Sequence, residues 1–349
     1  GFNNAQEPGI RQSSLRNDSI RWEGQKSADI GLEFTFFKNR LSGTVEYYNR
    51  KSDDLIFGVQ LPLSLGGYTL NKNIGDMVNK GWEIELNGDI IRQKNFSWRT
   101  ELNWSTVHNE ITKMPENQKE IISGTKKLSV GHSIYDYWLR DYRAVDPQNG
   151  AVLFTANSYV ASNSVIWGKD DTLSYSQNNA KFHYAGSAIP DFWGSITNTF
   201  SYKGIELSVL LTYQIGGKVY DATYASLMGA GDFGSAFHTD ILKAWQKPGD
   251  ITGVPRMDNS KTGVFDVASD RWLTDASYLN LRNVSLSYLL PNSILGRVHA
   301  SNARVFLNGE NLGWISARKG MNVQQSFTGV TSNVYVPARV LTAGINVNF

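Results

Sequence analysis

Four aromatic rings crowd one short stretch: Tyr135, Tyr137, Trp138 and Tyr142, with Arg140, Asp141 and Arg143 between or beside them. Flat rings stack on sugar faces, and interleaved polar groups bond hydroxyls. The stretch therefore reads as a candidate cargo or loop contact. The competing reading is aromatic packing inside a folded loop or an extra strand. Catalysis finds less support. His108, His132, His183, His238 and His299 are scattered, without metal-ligand spacing. Asp53-Asp54 and Asp170-Asp171 are neighbours in sequence, and neighbours on a strand point to opposite faces. Gly229 to Gly234 (GAGDFG) follows no strand-turn-helix pattern, so a phosphate loop is not expected. Serines fall on strand-like segments without a histidine nearby. No catalytic, cofactor or metal site is expected, and the chain reads as a non-enzyme.

The elements that must carry these residues are strands. Leu341, Ala343, Ile345, Val347 and Phe349 are apolar and alternate with Thr342, Gly344, Asn346 and Asn348. A strand turns successive side chains to opposite faces, so this segment has one apolar and one wet face. Eight further segments repeat the pattern, beginning near Ile30, Leu41, Trp82, Phe96, Phe192, Ile205, Asn283 and Arg304. Most have the roughly 9–11 residues a tilted strand needs to cross a hydrocarbon layer. Aromatic rings gather at the segment ends, among them Phe36, Tyr47, Trp82, Trp104, Tyr202 and Tyr213, which suits the two interfaces of a bilayer. Leu341, Ile345, Val347 and the terminal Phe349 read as a barrel-assembly signal. Glu83, Glu85, Arg99 and Glu101 fall on the polar side and are expected to face a lumen or plug.

Composition sets the bounds. The 349 residues carry a formal charge of +2, from 34 basic and 32 acidic side chains, too balanced for a nucleic-acid partner. There is no Cys, so neither a disulfide framework nor a thiolate site exists. Mean hydropathy is −0.33, uninformative where half of every strand is polar. No run of about 18 apolar residues marks a transmembrane helix. Gly1 to Ile10 lacks the basic start and apolar stretch of a signal peptide, so a mature, processed or partial chain is expected.

Turn lengths give a topology. Short turns are expected at Lys38-Asn39-Arg40, 92–95, 202–204 and 291–302, with long connections over 51–79, 107–191, 216–277 and 314–336. Outer-membrane barrels place short turns in the periplasm and long loops outside. The first strand would then run inward and the ninth would end at the periplasmic rim. By parity the 107–191 connection holds zero or two further crossings, with His132 to Tyr142 and Ala151 to Thr155 as candidates. Nine strands starting outside cannot close a whole barrel, so the first strand must pair with protein beyond this chain.

Several stretches then resemble the SusC/RagA family of TonB-dependent outer-membrane transporters. Ile20-Arg21-Trp22-Glu23 with Ile30-Gly31-Leu32-Glu33-Phe34 is similar to the family's LKWE and IGLDF; Asn39 to Tyr48 (NRLSGTVEYY) to NRLTGTVDYY; and Asn73 to Ile84 (NIGDMVNKGWEI) to NIGSIENKGVEI. Asp270-Arg271-Trp272-Leu273 with Ser277 to Leu286 (SYLNLRNVSL), then Arg304 to Leu307 through Glu310-Asn311-Leu312, continue the resemblance in order. Ala188-Ile189-Pro190-Asp191-Phe192 is retained, while Trp167 to Ala180 replaces an Asp-Gly-rich insert common before it.

The resemblance implies an all-β fold: the C-terminal portion, about 9–11 strands, of a transmembrane antiparallel β-barrel of about 22 strands with long extracellular loops. The plug and remaining strands would lie outside residues 1–349. It implies TonB-dependent import of nutrient oligomers across the bacterial outer membrane beneath a SusD-like surface lipoprotein. Glycan is the first expected cargo and peptide the second. Expected partners are that lipoprotein, the rest of the barrel and plug, TonB through the upstream part, lipid and cargo; no cofactor is expected. The alternatives are a passive porin, a siderophore or cobalamin receptor, and a soluble β-rich carbohydrate-binding protein.

Overall fold

A computed structural model describes residues 15–66, 68–115, 118–167, 171–229, 234–258, 265–291, 293, 295, 300–319, 322, 324, 327–331 and 336–348. The chain begins as a meander of β1 (Gly24–Phe36), β2 (Leu41–Gln60), β3 (Thr69–Arg92) and β4 (Phe96–Ser105). The first long connection holds β5 (His108–Lys113), β6 (Glu120–Ser123), β7 (Lys126–Ser129), β8 (Asp136–Arg140), β9 (Tyr142–Val145), β10 (Val152–Thr155), β11 (Ser164–Trp167), β12 (Asp171–Ser174) and β13 (Phe182–Ser187). Then come β14 (Phe192–Tyr202) and β15 (Ile205–Ile215). The second connection carries β16 (Lys218–Tyr220), α1 (Ala222–Leu227) and β17 (Leu273–Asp275). The chain closes with β18 (Tyr278–Leu289), β19 (Asn302–Ser316) and β20 (Val340–Asn348).

Nine strands form one wall in the order β1-β2-β3-β4-β14-β15-β18-β19-β20, antiparallel throughout. All nine alternating segments are wall strands, and the Phe96–Ser105 bounds of β4 are those expected from its alternation. Short turns gather at one end of the wall and long connections at the other. The Lys203-Gly204 turn has both residues at positive φ (45° and 87°), the type I′ geometry whose twist suits a two-residue hairpin.

The register aligns the two faces strand by strand. Glu33, Thr44, Glu85, Asn103, Ser195 and Thr212 stand opposite one another across six strands. On the other face Trp98, Phe200, Leu207, Leu286, Leu307 and Ala343 form an equivalent row. The apolar face has no second layer over it: Ile30, Leu32, Trp82, Leu307 and Ile345 are all exposed. A soluble sandwich would bury these residues against another sheet.

Two expectations need correction. The 51–79 segment is not a loop of that length. β2 and β3 run for 20 and 24 residues and pair beyond the apolar rows, with register shifts near Ser52 and Leu55. Polar residues such as Lys51, Asp53, Asn71 and Lys72 pair well in water, so the hairpin continues as a solvated arm. The two candidate crossings in the first connection are strands, but they do not enter the wall. β8 joins a sheet of order β13-β8-β7-β6, and β9 and β10 join β11-β12-β10-β9. The parity resolves to zero extra crossings, with β5 pairing the arm of β3.

The packed core sits in the connections. Tyr137, Leu139, Ala185 and Ala188 from the first connection pack with Tyr220, Met228, Val254 and Trp272 from the second. Each fully enclosed large side chain there contributes roughly 1.5–3 kcal/mol by burial. Among the described residues no helix is long and apolar enough to cross a membrane.

Candidate functional site

The three long connections beyond the first hairpin fold against one another at one end of the wall. β16 pairs with β17, placing Tyr220 opposite Leu273. The third connection docks on this pair through Tyr220 N–H to Gly329 O (2.7 Å) and Thr331 N–H to Tyr220 O (2.9 Å). Asp221 caps α1 by accepting from Tyr224 N–H at 2.9 Å, and Arg318 from the third connection pairs with Asp221 at 3.2 Å. The Arg318 guanidinium also lies 3.6 Å from the Tyr224 ring centre. A charged cap and a cation on a ring thus tie helix to loop.

The four aromatic residues singled out from sequence occupy different settings here. Tyr137 is fully enclosed, and its hydroxyl donates toward Gly329 O (2.6 Å) and Lys218 O (3.0 Å). Burial pushes the Tyr137 phenol up, away from ionisation. Tyr135 packs against the same core and edge-on to Phe327. Trp138 stacks on Phe182 and meets Tyr184 edge-on, with the Lys127 ammonium 4.1 Å from its ring centre. Tyr142 joins a separate cluster with Val152 and Phe154. Its phenol is raised by burial, with Arg271 lowering it and Asp270 raising it. Tyr137 is therefore part of the core and reachable by a ligand only if the assembly opens, whereas Tyr135, Trp138 and Tyr142 are half-buried.

Sequence reasoning missed a cleft of about 550 Å³ with mixed polar and apolar lining between the first and second connections. Asn149, Asn163, Tyr175, Gln177 and Arg256 line it, with Phe265 at its side. The groups are held in place. Buried Asp146 accepts from Gln148 N–H (2.8 Å), Asn149 Nδ2 (3.0 Å) and the Tyr175 hydroxyl (2.5 Å). Arg256 donates to Asn149 O (3.2 Å) and Asp258 (3.0 Å). Amide, hydroxyl and guanidinium groups beside the Tyr175 and Phe265 rings suit a ligand rich in hydroxyls or peptide groups. The only sequence signal was a concentration of Asn, Gln and Ser over 149–178, which a solvated loop shares.

Glu83, Glu85, Arg99 and Glu101 all lie exposed on the polar face of the wall. Asn87 stands opposite Glu101, Asp89 opposite Arg99, and Arg99 Nε pairs with Glu101 at 3.1 Å. Glu46 and Glu83 are direct cross-strand neighbours, so the face is locally acidic. Leu341, Ile345 and Val347 stand on the apolar face opposite Gly309, Val305 and Ala303. Phe349 lies outside the described residues, as do His299 and Asp170. Of the potential metal-ligating groups, the fold draws Asp141, His183 and Asp270 together.

Residues 1–312 match the model of the family described as TonB dependent receptor-like, beta-barrel. TonB-dependent receptor P3 of Formosa agariphila is 27% identical over 98% of this chain and 36% of its own length. SusC of Bacteroides thetaiotaomicron is 24% identical over 95% of this chain and 32% of its own. The chain thus spans roughly a third of the length of these relatives. Among solved structures, the RagAB peptide importer in its closed-closed state superposes over the whole chain with a TM-score of 0.84 and 25% identity, covering 38% of that chain. On the nine-strand wall and these matches, the chain belongs to the TonB-dependent receptor-like β-barrel family.

Proposed function

We propose that the chain forms the C-terminal portion of the wall of an energised outer-membrane importer. It takes up nutrient oligomers, glycans first and peptides second, together with a SusD-like surface lipoprotein. The carrying observation is the contrast between an uncovered apolar face along nine strands and a packed core confined to the connections at one end. A wall in lipid needs no inner core, whereas extracellular loops that hold cargo must be ordered. The long connections then face outward and β20 ends in the periplasm. The apolar row of Leu341, Ile345 and Val347, with Phe349, serves barrel assembly.

The chemistry asked of these residues is binding and guidance, with no bond made or broken. Hydroxyl-rich cargo meets the Asn149–Gln177–Arg256 cleft, with Trp138 and Tyr135 as secondary contacts in an opened assembly. Glu83, Glu85, Arg99 and Glu101 line the lumen, where they contact a plug or the passing solute. TonB acts through the part of the transporter that carries the plug. A peptide cargo is the second reading, supported by the likeness to the peptide importer RagAB.

The test is uptake by cells carrying the whole transporter, with and without TonB and the lipoprotein, fed labelled oligosaccharides or oligopeptides. TonB-dependent uptake that needs the lipoprotein is expected. Conductance and uptake independent of TonB would overturn the energised reading in favour of a porin. Uptake of peptides alone would replace the glycan assignment.

A further inference from the structure

We propose that Asp141, His183 and Asp270 bind one first-row divalent cation, of the zinc class, which clamps the first long connection to the second. One ligand atom from each residue lies within 4.8 Å of the other two. The residues come from separate elements. Asp141 stands at the break between β8 and β9, His183 lies within β13, and Asp270 opens the short 3₁₀ helix Asp270–Trp272.

Each residue is placed by its backbone. Asp141 N–H donates to Lys181 O at 2.9 Å, fixing the break against β13. His183 stands opposite Leu139 in the β13-β8 register. Asp270 is followed by the fully buried Trp272, whose indole N–H donates to Val267 O at 3.0 Å. The Asp270 carboxylate accepts from Tyr142 N–H at 2.9 Å with one oxygen and lies 3.0 Å from His183 Nε2 with the other.

Charge distinguishes this group from the other His-carboxylate contacts. His108, His132 and His238 each approach one carboxylate, on Glu110, Asp136 and Asp240. At His183 two carboxylates converge, and among the described residues no Lys or Arg forms an ion pair with Asp141 or Asp270. Two like charges this close repel unless a cation lies between them. One imidazole nitrogen and two carboxylate oxygens make a donor set of intermediate hardness, suited to Zn²⁺, Co²⁺ or Mn²⁺ and poorly to soft metals. Bonds of about 2.1 Å would draw together ligand atoms that now lie within 4.8 Å of one another. His183 and Asp270 are part-exposed, which leaves an entry path. The competing arrangement is the direct 3.0 Å contact between His183 Nε2 and Asp270 with no metal between them.

The experiment uses the purified full-length transporter with its partner, stripped with chelator and dialysed against Zn²⁺, or against Co²⁺ for visible absorption. Wild type should retain one zinc per chain and show Co²⁺ ligand-field bands. D141N and H183Q should each lower zinc affinity by at least about 100-fold, since even groups behind a ligand cost roughly 10–100-fold. H132N and H238N should keep it. Added zinc should slow protease cleavage of the 107–191 connection in wild type but not in D141N. Heat-modifiability of the barrel on gels controls for folding in every variant. Equal zinc in wild type, D141N and H183Q, or wild-type protection indifferent to zinc and chelator, would overturn the proposal and leave the direct His183–Asp270 contact as the link. None of these readouts depends on transport.

Discussion

The Tyr137 hydroxyl lies 2.6 Å from the carbonyl oxygen of Gly329, at a separation of 192 residues in sequence. It is also 3.0 Å from Lys218 O. One phenol from the first connection therefore serves acceptors in the second and the third. Gly329 O accepts from Tyr220 N–H as well, so the junction closes on itself.

Gly329 adopts φ +65°, and a Cβ there would overlap the Tyr137 hydroxyl. G329A should therefore loosen the whole junction, at roughly 1–3 kcal/mol for the hydrogen bonds left unmade. Y137F keeps the ring in the core and should cost only about 1 kcal/mol. Limited proteolysis should show faster cleavage within the three connections, G329A ahead of Y137F, while the wall stays heat-modifiable. A wall lost together with the connections would contradict this independence.

Lys126 is half-buried beside Tyr137, its ammonium 3.3 Å from the ring centre and 2.6 Å from Tyr135 O. Burial lowers its pKa to about 7, opposed only in part by Asp136. A lysine lowered on folding binds its proton more readily when unfolded, so stability rises with pH between about 7 and the ordinary lysine value of about 10.4. Below pH 7 the cost of burying the charge is fully present. Protease resistance of the connections should increase from pH 7 to 9, and K126M should flatten that profile.

Leu307 is exposed on the apolar face, between Leu286 and Ala343. L307R should cost about 2–4 kcal/mol, the value for a cation near the bilayer midplane. T342R, on the polar face of the neighbouring strand, should cost far less. Urea titration of the transporter refolded into vesicles measures both. Equal losses would mean that the two faces see the same solvent.

Asn198 and Thr100 form a polar pair on the apolar face. Asn198 Oδ1 accepts from Trp98 Nε1 at 2.9 Å and from Thr100 Oγ1 at 2.8 Å. In lipid these donors have no water to fall back on. N198A should destabilise by about 1–3 kcal/mol through the orphaned donors. Adding T100V should recover part of that loss, read from the same urea titration.

The nine wall strands, their short turns and the alternation of their apolar residues were legible in the sequence, while the register shifts in β2, β3, β15 and β18 were not. The period of two is a local property, and lipid on one side with water on the other enforces it residue by residue. The placement of Glu83, Glu85, Arg99 and Glu101 follows from that parity alone. The length of the β2-β3 arm was not legible, because a solvated hairpin needs no apolar row to mark it.

Tertiary structure alone decided what the connections do. Whether Tyr137 meets a ligand or a core depends on Lys218 and Gly329, and whether His183 stands alone depends on Asp141 and Asp270. No window of sequence holds such pairs. They form because three loops, each closed at the wall, share one end of it and bury their apolar faces against one another. The wall thus follows from local alternation against its solvents, and the candidate site from contacts between distant segments that only the completed fold brings together.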